Sequence, residues 1–387
     1  MGEQPAYRGA SITGVGFTEF SRASGRSVLA LAAEACREAI ADAGLTPADI
    51  DGVVTYQYLN DSVPAQAVAA AVALGDLRHV LDSGLAGQAP CYLAAHAATM
   101  ITTGVARNIV VYRALNGRSG QRVGSARAPG DAADLRHDAG LVAYPQTIAL
   151  WARRFMIDTG ATEADLAAVA IAQREWAVHN DRAVRRTPLT RDDHHASPMV
   201  ADPLRAVDCT TEVDGACALV VTTTDRADDS PHPPVGIRSA AYVLGRGGGL
   251  DMADSSTWPD LSRNHTSLLA DRLWADAGLG PDDMDFAQIY DCFSSVVLFG
   301  LEGLGFAPRG GAGEFVRAGH TAPGGSLPVN TNGGLLNEGY LHGMNTLAEA
   351  VLQLQGRAGA RQVPDAAVGV VTSGALQDGS ALVLARR

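Results

Sequence analysis

Near the C-terminal end of the chain, Gly339-Tyr340-Leu341-His342-Gly343 presents a phenol and an imidazole on a loop bracketed by glycines. A phenol can accept or donate a proton once burial and its neighbours tune it from an ordinary pKa of ~10. Glycines this dense let backbone pass close to a ligand or another chain. Upstream lies the turn Val329-Asn330-Thr331-Asn332-Gly333-Gly334, and downstream Thr346 to Leu354 reads as a helix. Reactive side chains commonly sit at such loop-to-helix junctions. The plainer reading is a tight turn plugged by an aromatic ring, with Asn330 and Asn332 satisfying turn backbone.

The elements that must hold this loop are legible along the chain. Ser11 to Phe17 reads as a strand, Ser27 to Ala43 as an amphipathic helix, and Gly44 as its C-terminal cap. A turn at Thr46-Pro47 leads to the strand Gly52 to Tyr56. An alanine-rich helix starts near Pro90 and ends at Gly104, and Asn108 to Tyr112 is a buried strand by its β-branched content. An excursion from about 116 to 205 carries many charges, and Asp228 to Pro234 is a linker. The segment 41–51, ADAGLTPADID, recurs as ADAGLGPDDMD at 275–285, identical at eight of eleven positions with a constant offset of 234. A helix, cap, proline turn and strand therefore occur twice, which predicts two similar α/β halves, 1–228 and 235–387.

Bulk properties restrict the function. The chain has 387 residues, 47% of them hydrophobic, and no apolar run long enough to span a bilayer. Its first residues lack the basic and apolar regions of a signal peptide, so a cytoplasmic protein is expected. A formal net charge of −12 disfavours nucleic acid and anionic membranes as partners. The five cysteines have no metal-ligand spacing, and no metal site is expected. The glycine run Gly245, Gly247, Gly248, Gly249 lacks the spacing of a dinucleotide fingerprint.

With these segments in place, the chain resembles the thiolase superfamily, close to the sterol-carrier-protein-x type. The likeness covers nearly the whole length. It rests on the two halves, the helix ending in Gly104, Asp214-Gly215-Ala216, Tyr290-Asp291-Cys292-Phe293, the loop 339–343 and a closing glycine hairpin. It implies a duplicated five-layer αβαβα fold with an inserted loop domain in the excursion. The family's nucleophilic cysteine, seventeen residues before the helix-ending glycine, falls here on Gly87. Cys91, one helical turn further on, is expected to be buried. The second cysteine maps to Ser373, the loop histidine to Tyr340 and the motif asparagine to Tyr290. A glycine cannot hold an acyl group, so thiolysis through a thioester enzyme is excluded.

The two tyrosines match thiolase-like aldolases that cleave bacterial steroid side chains. That resemblance implies retro-aldol cleavage of a bulky β-hydroxyacyl-CoA, a 17-hydroxy steroid 20-carboxyl-CoA, to a 17-ketosteroid and propionyl-CoA. Coenzyme A is then part of the substrate, with no prosthetic group. Tyr340 is expected to accept the hydroxyl proton and Tyr290 to protonate the enolate. His342 would polarise Tyr340 or the thioester carbonyl, and Tyr242 is a third family tyrosine. Asp291 alternates with Tyr290 and is expected to face away. Ser373 and Gly374 are candidates for the thioester oxygen. Arg182, Arg185 and Arg186, with Arg191, lie where thiolases hold coenzyme A, and arginine matches phosphate geometry. The resemblance also implies a homodimer and a partner with an OB fold, in some cases fused to a hydratase. Two rival readings are another cysteine-free carbon–carbon bond step in biosynthesis and a non-catalytic scaffold subunit.

Overall fold

The computed structural model describes residues 7, 9–120, 122, 136–245 and 258–387. Gly247, Gly248 and Gly249, the opening residues read for a signal peptide and part of the excursion lie outside the described residues. The strands are β1 (Ala10–Phe17), β2 (Gly52–Tyr56), β3 (His79–Ser83), β4 (Asn108–Asn116), β5 (Met199–Ala201), β6 (Leu204–Arg205), β7 (Asp214–Thr223), β8 (Val235–Leu244), β9 (Phe286–Gln288), β10 (Val368–Ser373) and β11 (Asp378–Arg386). The main helices are α1 (Val28–Asp42), α2 (Ala65–Val72), α3 (Ala89–Thr102), α4 (Tyr144–Thr159), α5 (Glu163–Val178), α6 (Thr266–Ala277), α7 (Ser294–Gly303) and α8 (Met344–Leu354).

Nine strands hydrogen-bond in the order β3-β2-β4-β7-β1-β8-β11-β10-β9. The link between β1 and β8 is slight, only Ser11 opposite Gly236 and Ile12 opposite Val235. Outward from that seam, β1-β7-β4-β2 and β8-β11-β10-β9 repeat the same pattern of two antiparallel pairings and then a parallel one. The repeated sequence folds identically in both places. Gly44 and Gly278 close their helices at φ 70° and 65°. The Asp49 carboxylate accepts from Thr46 N–H, as that of Asp283 does from Gly280 N–H.

Three hydrophobic cores separate five layers. One core lies between the two sets of strands and is filled by α3 and α8; α1 and α2 cover the first set, and α6 and α7 the second. Every residue of α8 is buried, as an inner-layer helix requires. Its one charged member is paired, Glu349 with Arg361 at 3.0 Å and with Arg182 at 3.3 Å. The helices α4 and α5 of the excursion pack on the second set, where Trp151 and Phe155 meet Phe299 of α7 edge to face. Among the described residues no helix is long and apolar enough to cross a membrane.

Candidate active site

The loop 339–343 connects the short turn Gly334–Asn337 to α8, inside the central layer. Tyr340 N–H donates to the Thr211 carbonyl at 2.9 Å, which ties the loop to the segment before β7. Tyr290 stands just past the end of β9, and its N–H donates to Thr372 Oγ1 at 2.9 Å. Asn330 brackets the neighbouring Ile289, accepting from its N–H and donating to its carbonyl, both at 2.8 Å. Asn332 accepts from Gly334 N–H at 3.0 Å. Both asparagines therefore serve the backbone that aims the two tyrosines.

The two phenols meet, with hydroxyl oxygens 2.9 Å apart. Both rings are buried, Tyr290 at 2% and Tyr340 at 9% exposure. Two glycines make room for Tyr290. A Cβ at position 87 would fall 2.0 Å from its hydroxyl oxygen, and one at 343 would fall 3.0 Å from its Cδ2. The space a nucleophilic side chain would need is thus filled by the phenol. Burial pushes the hydroxyls of both tyrosines well above their ordinary pKa, with Cys292 adding to the effect and Arg113 opposing it at Tyr340. Both are neutral phenols at neutral pH.

His342 lies beneath this pair. Its ring packs edge to face with Tyr340, centroids 4.7 Å apart, and its backbone is left-handed at φ 52°. Nδ1 accepts from Arg113, at 2.8 Å from Nη2 and 3.2 Å from Nε. Arg113 is fully buried in β4, forms an ion pair with Asp61 and donates Nη1–H to the Tyr56 carbonyl at 3.0 Å. The Tyr56 hydroxyl donates to the carbonyls of Leu341 and His342, each at 3.3 Å. Burial first, and then the Arg113 cation, hold the His342 imidazole down to about 3, against the pull of Asp61. It is therefore neutral across the physiological range.

A cavity of about 380 Å³ opens at Tyr340. Cys292 and Phe293 line it together with Tyr144, Val200 and Arg185 of the excursion. The three arginines proposed for coenzyme A separate. Arg185 lines the cavity, donates to the carbonyls of Ala206 and Cys209 at 3.4 and 3.3 Å, and has no carboxylate partner among the described residues. Arg182 is instead tied to Glu338 at 3.1 Å and Glu349 at 3.3 Å, with its guanidinium over Phe17. Arg186 is exposed and pairs with Asp181 at 2.8 Å. These contacts place Arg182 and Arg186 outside the cavity wall.

The remaining candidates are placed as follows. Cys91 is fully buried, its thiol pushed up to about 12 by burial. Ser373 Oγ donates to Cys91 Sγ at 3.2 Å, so its hydroxyl is engaged in the core. Gly374 has φ 107°, and a Cβ there would lie 2.5 Å from the Asp378 carbonyl oxygen, so the hairpin needs glycine for its own closure. Asp291 faces away from the phenols and accepts from the N–H groups of Leu335 and Leu336, at 2.8 and 3.1 Å. Tyr242 is 38% exposed on β8 and packs against Tyr92, centroids 5.1 Å apart. It stands outside the phenol pair, and Asp378 acts electrostatically both on it and on Tyr144 of the cavity wall. Among the described residues no cluster of three or more His, Cys, Asp or Glu is placed to hold a metal ion.

Sequence reasoning missed Asp61, Arg113 and Tyr56. A signal was present for one of them, since Arg113 interrupts the apolar run Ile109 to Leu115, where an unpaired charge would be costly.

Comparison with known proteins bears on this geometry. Residues 247–386 match the family described as thiolase C-terminal domain-like. The chain is 41% identical over 383 residues to a 17-hydroxy-3-oxo-4-pregnene-20-carboxyl-CoA lyase of Mycobacterium tuberculosis, covering 94% of this chain and 98% of that protein. It is 40% identical to a steroid side-chain-cleaving aldolase of Thermomonospora curvata, covering 97% of each. The solved structure of an Ltp2-ChsH2(DUF35) aldolase superposes with a TM-score of 0.91 at 39% identity, covering 99% of both chains.

Proposed function

The chain belongs to the thiolase superfamily, among its steroid side-chain-cleaving aldolases, and from that premise we propose how it works and on what. It is a CoA-thioester retro-aldolase that cleaves a 17-hydroxy steroid 20-carboxyl-CoA to a 17-ketosteroid and propionyl-CoA. The observation that carries the chemistry is the hydrogen bond of 2.9 Å between Tyr290 and Tyr340, in the space left by Gly87.

A retro-aldol step removes one proton from the β-hydroxyl and adds one at Cα, so it needs a transfer and no net acid or base. Neutral phenols in contact can supply it. Tyr340 oxygen takes the hydroxyl proton while its own proton passes to Tyr290 oxygen. As the Cα–Cβ bond breaks, its electron pair spreads toward the thioester oxygen with enolate character, and that same pair takes the Tyr290 proton at Cα. No phenolate need accumulate, which suits two hydroxyls whose ionisation burial opposes. Arg185, which lines the cavity, supplies the charge for the phosphates of the coenzyme A portion.

The assembly belongs to the same reading. A DUF35-type OB-fold chain, in some cases fused to a hydratase, binds a cytoplasmic homodimer in which each chain divides into halves 1–228 and 235–387. The test is to incubate the enzyme and an OB-fold partner with a tertiary β-hydroxyacyl-CoA and follow products by mass spectrometry. Equimolar ketone and propionyl-CoA are expected; release of free acid and coenzyme A, or no turnover, would reject the reading.

A further inference from the structure

The geometry points to Asp61 and Arg113 as positioning residues that hold His342 in one tautomer, with its single N–H kept free for an oxyanion formed beside Tyr340. This deepens the aldolase reading and rests on it for the identity of that oxyanion, the oxygen of the thioester enolate.

A guanidinium has five N–H donors and no acceptor. Two Arg113 nitrogens approach the same ring atom, Nδ1 of His342, at 2.8 and 3.2 Å. That atom must therefore present its lone pair, and the proton of the neutral ring sits on Nε2. Arg113 holds its place through Asp61, which also accepts from Tyr58 N–H at 2.9 Å, and through the carbonyl of Tyr56. The second observation is at the far side of the ring. His342 is 1% exposed, and Nε2 is buried with no hydrogen-bond partner among the described residues. Buried polar groups in folded proteins are nearly always paired, so an orphan here needs a reason.

The backbone supports the same conclusion. A non-glycine residue at φ 52° is strained, and the hydroxyl of Tyr56 fastens the carbonyls on either side of the strained step. The titratable and charged groups against His342 are Tyr56 of β2, Asp61 of the loop before α2, Arg113 of β4 and Tyr340 of its own loop. The ring is thus gripped on its Nδ1 side and packs on the phenol that lines the cavity. A preorganised donor next to a centre where charge develops contributes more in such a dry site than in water.

The test reads the tautomer directly, by long-range ¹H–¹⁵N correlation on the histidine-labelled enzyme, with His342→Gln identifying the signal. The wild type is expected to show a protonated Nε2 and a bare Nδ1, unchanged from about pH 8 to about pH 5. Arg113→Met leaves Asp61 buried without its cation and is prone to misfolding. The double variant Asp61→Asn, Arg113→Met removes both charges. Its His342 is expected to mix tautomers and to titrate between about pH 5 and 7, with kcat down about 10²-fold and KM within about threefold. A proton on Nδ1 in the wild type, titration of wild-type His342 above about pH 5, or a folded double variant with full kcat would each overturn the inference. The tautomer is measured without turnover, so an enzyme with the expected spectrum and no cleavage activity would reject the aldolase reading and leave the positioning role standing.

Discussion

A Cβ at Gly87 would lie 2.0 Å from the hydroxyl oxygen of Tyr290, closer than any two such atoms can pack. The space a nucleophilic side chain at position 87 would need and the space taken by the phenol are the same space. Gly87→Ala should therefore move Tyr290 off Tyr340 and lower kcat by about 10²-fold, the effect of a misplacement of about 1 Å in an oriented site. A steady-state assay checks it. A Gly87→Ala enzyme with wild-type kcat would show that this contact does not govern the reaction.

The proposed proton relay runs through both phenols, so the pair should fail as a unit. Tyr290→Phe and Tyr340→Phe are each expected to lose at least ~10²-fold in kcat, and the double variant to be little worse than the poorer single. Multiplicative losses would point to two independent roles.

Cys91→Ala should keep kcat within about threefold, since the sulfur is enclosed and its thiol is pushed up to about 12 by burial. Intact-protein mass spectrometry during turnover should find no acyl adduct. A thioester on Cys91 would contradict the mechanism outright.

The three arginines should divide by assay. Arg185→Ala is expected to raise KM for the acyl-CoA with little change in kcat. Arg182→Ala should cost roughly 3 kcal/mol in urea unfolding, because it withdraws a cation from the buried carboxylates Glu338 and Glu349. Arg186→Ala should change neither. Equal KM effects from all three would restore them as one phosphate-binding cluster.

The buried histidines should withdraw stability as pH falls. Burial holds His265 down to about 4 and His342 to about 3, below the usual 6.5. Between those values the unfolded chain binds protons that the folded one refuses, so stability is full above pH 6.5 and falls as pH drops. Each histidine contributes a slope of up to about 1.4 kcal/mol per pH unit. Asp378, raised by burial to about 6, and Asp291, raised well above its usual range by the same cause, work in the opposite direction. Urea midpoints from pH 7 to 4.5, compared between the wild type and His265→Gln, isolate the histidine, and the variant is expected to lose less stability toward acid. A variant that loses as much as the wild type would refute the assignment.

Much of this was readable in the residues themselves. The repeated helix–cap–turn segment announced the duplication because cap glycines and turn prolines are fixed by local sterics. Tyr340 was visible because glycines flank its loop. What stayed hidden depends on contacts between distant segments. Nothing in the local sequence around Asp61 says that it lies against Arg113, and Arg182, Arg185 and Arg186 look alike until the fold gives them different neighbours. Helix α8 begins at Met344 rather than Thr346, and β4 runs on to Asn116 past Tyr112, because tertiary packing extends both beyond their local signals.

The slender seam between β1 and β8 has an evolutionary reading. Tyr290 and Tyr340 descend from one copy of the duplicated unit, while Gly87, Tyr56, Asp61 and Arg113 descend from the other. Neither copy on its own carries a complete reaction centre, so each depends on the other. Separately expressed halves that reassemble should regain turnover only as a pair, which would make catalysis itself a gauge of their docking.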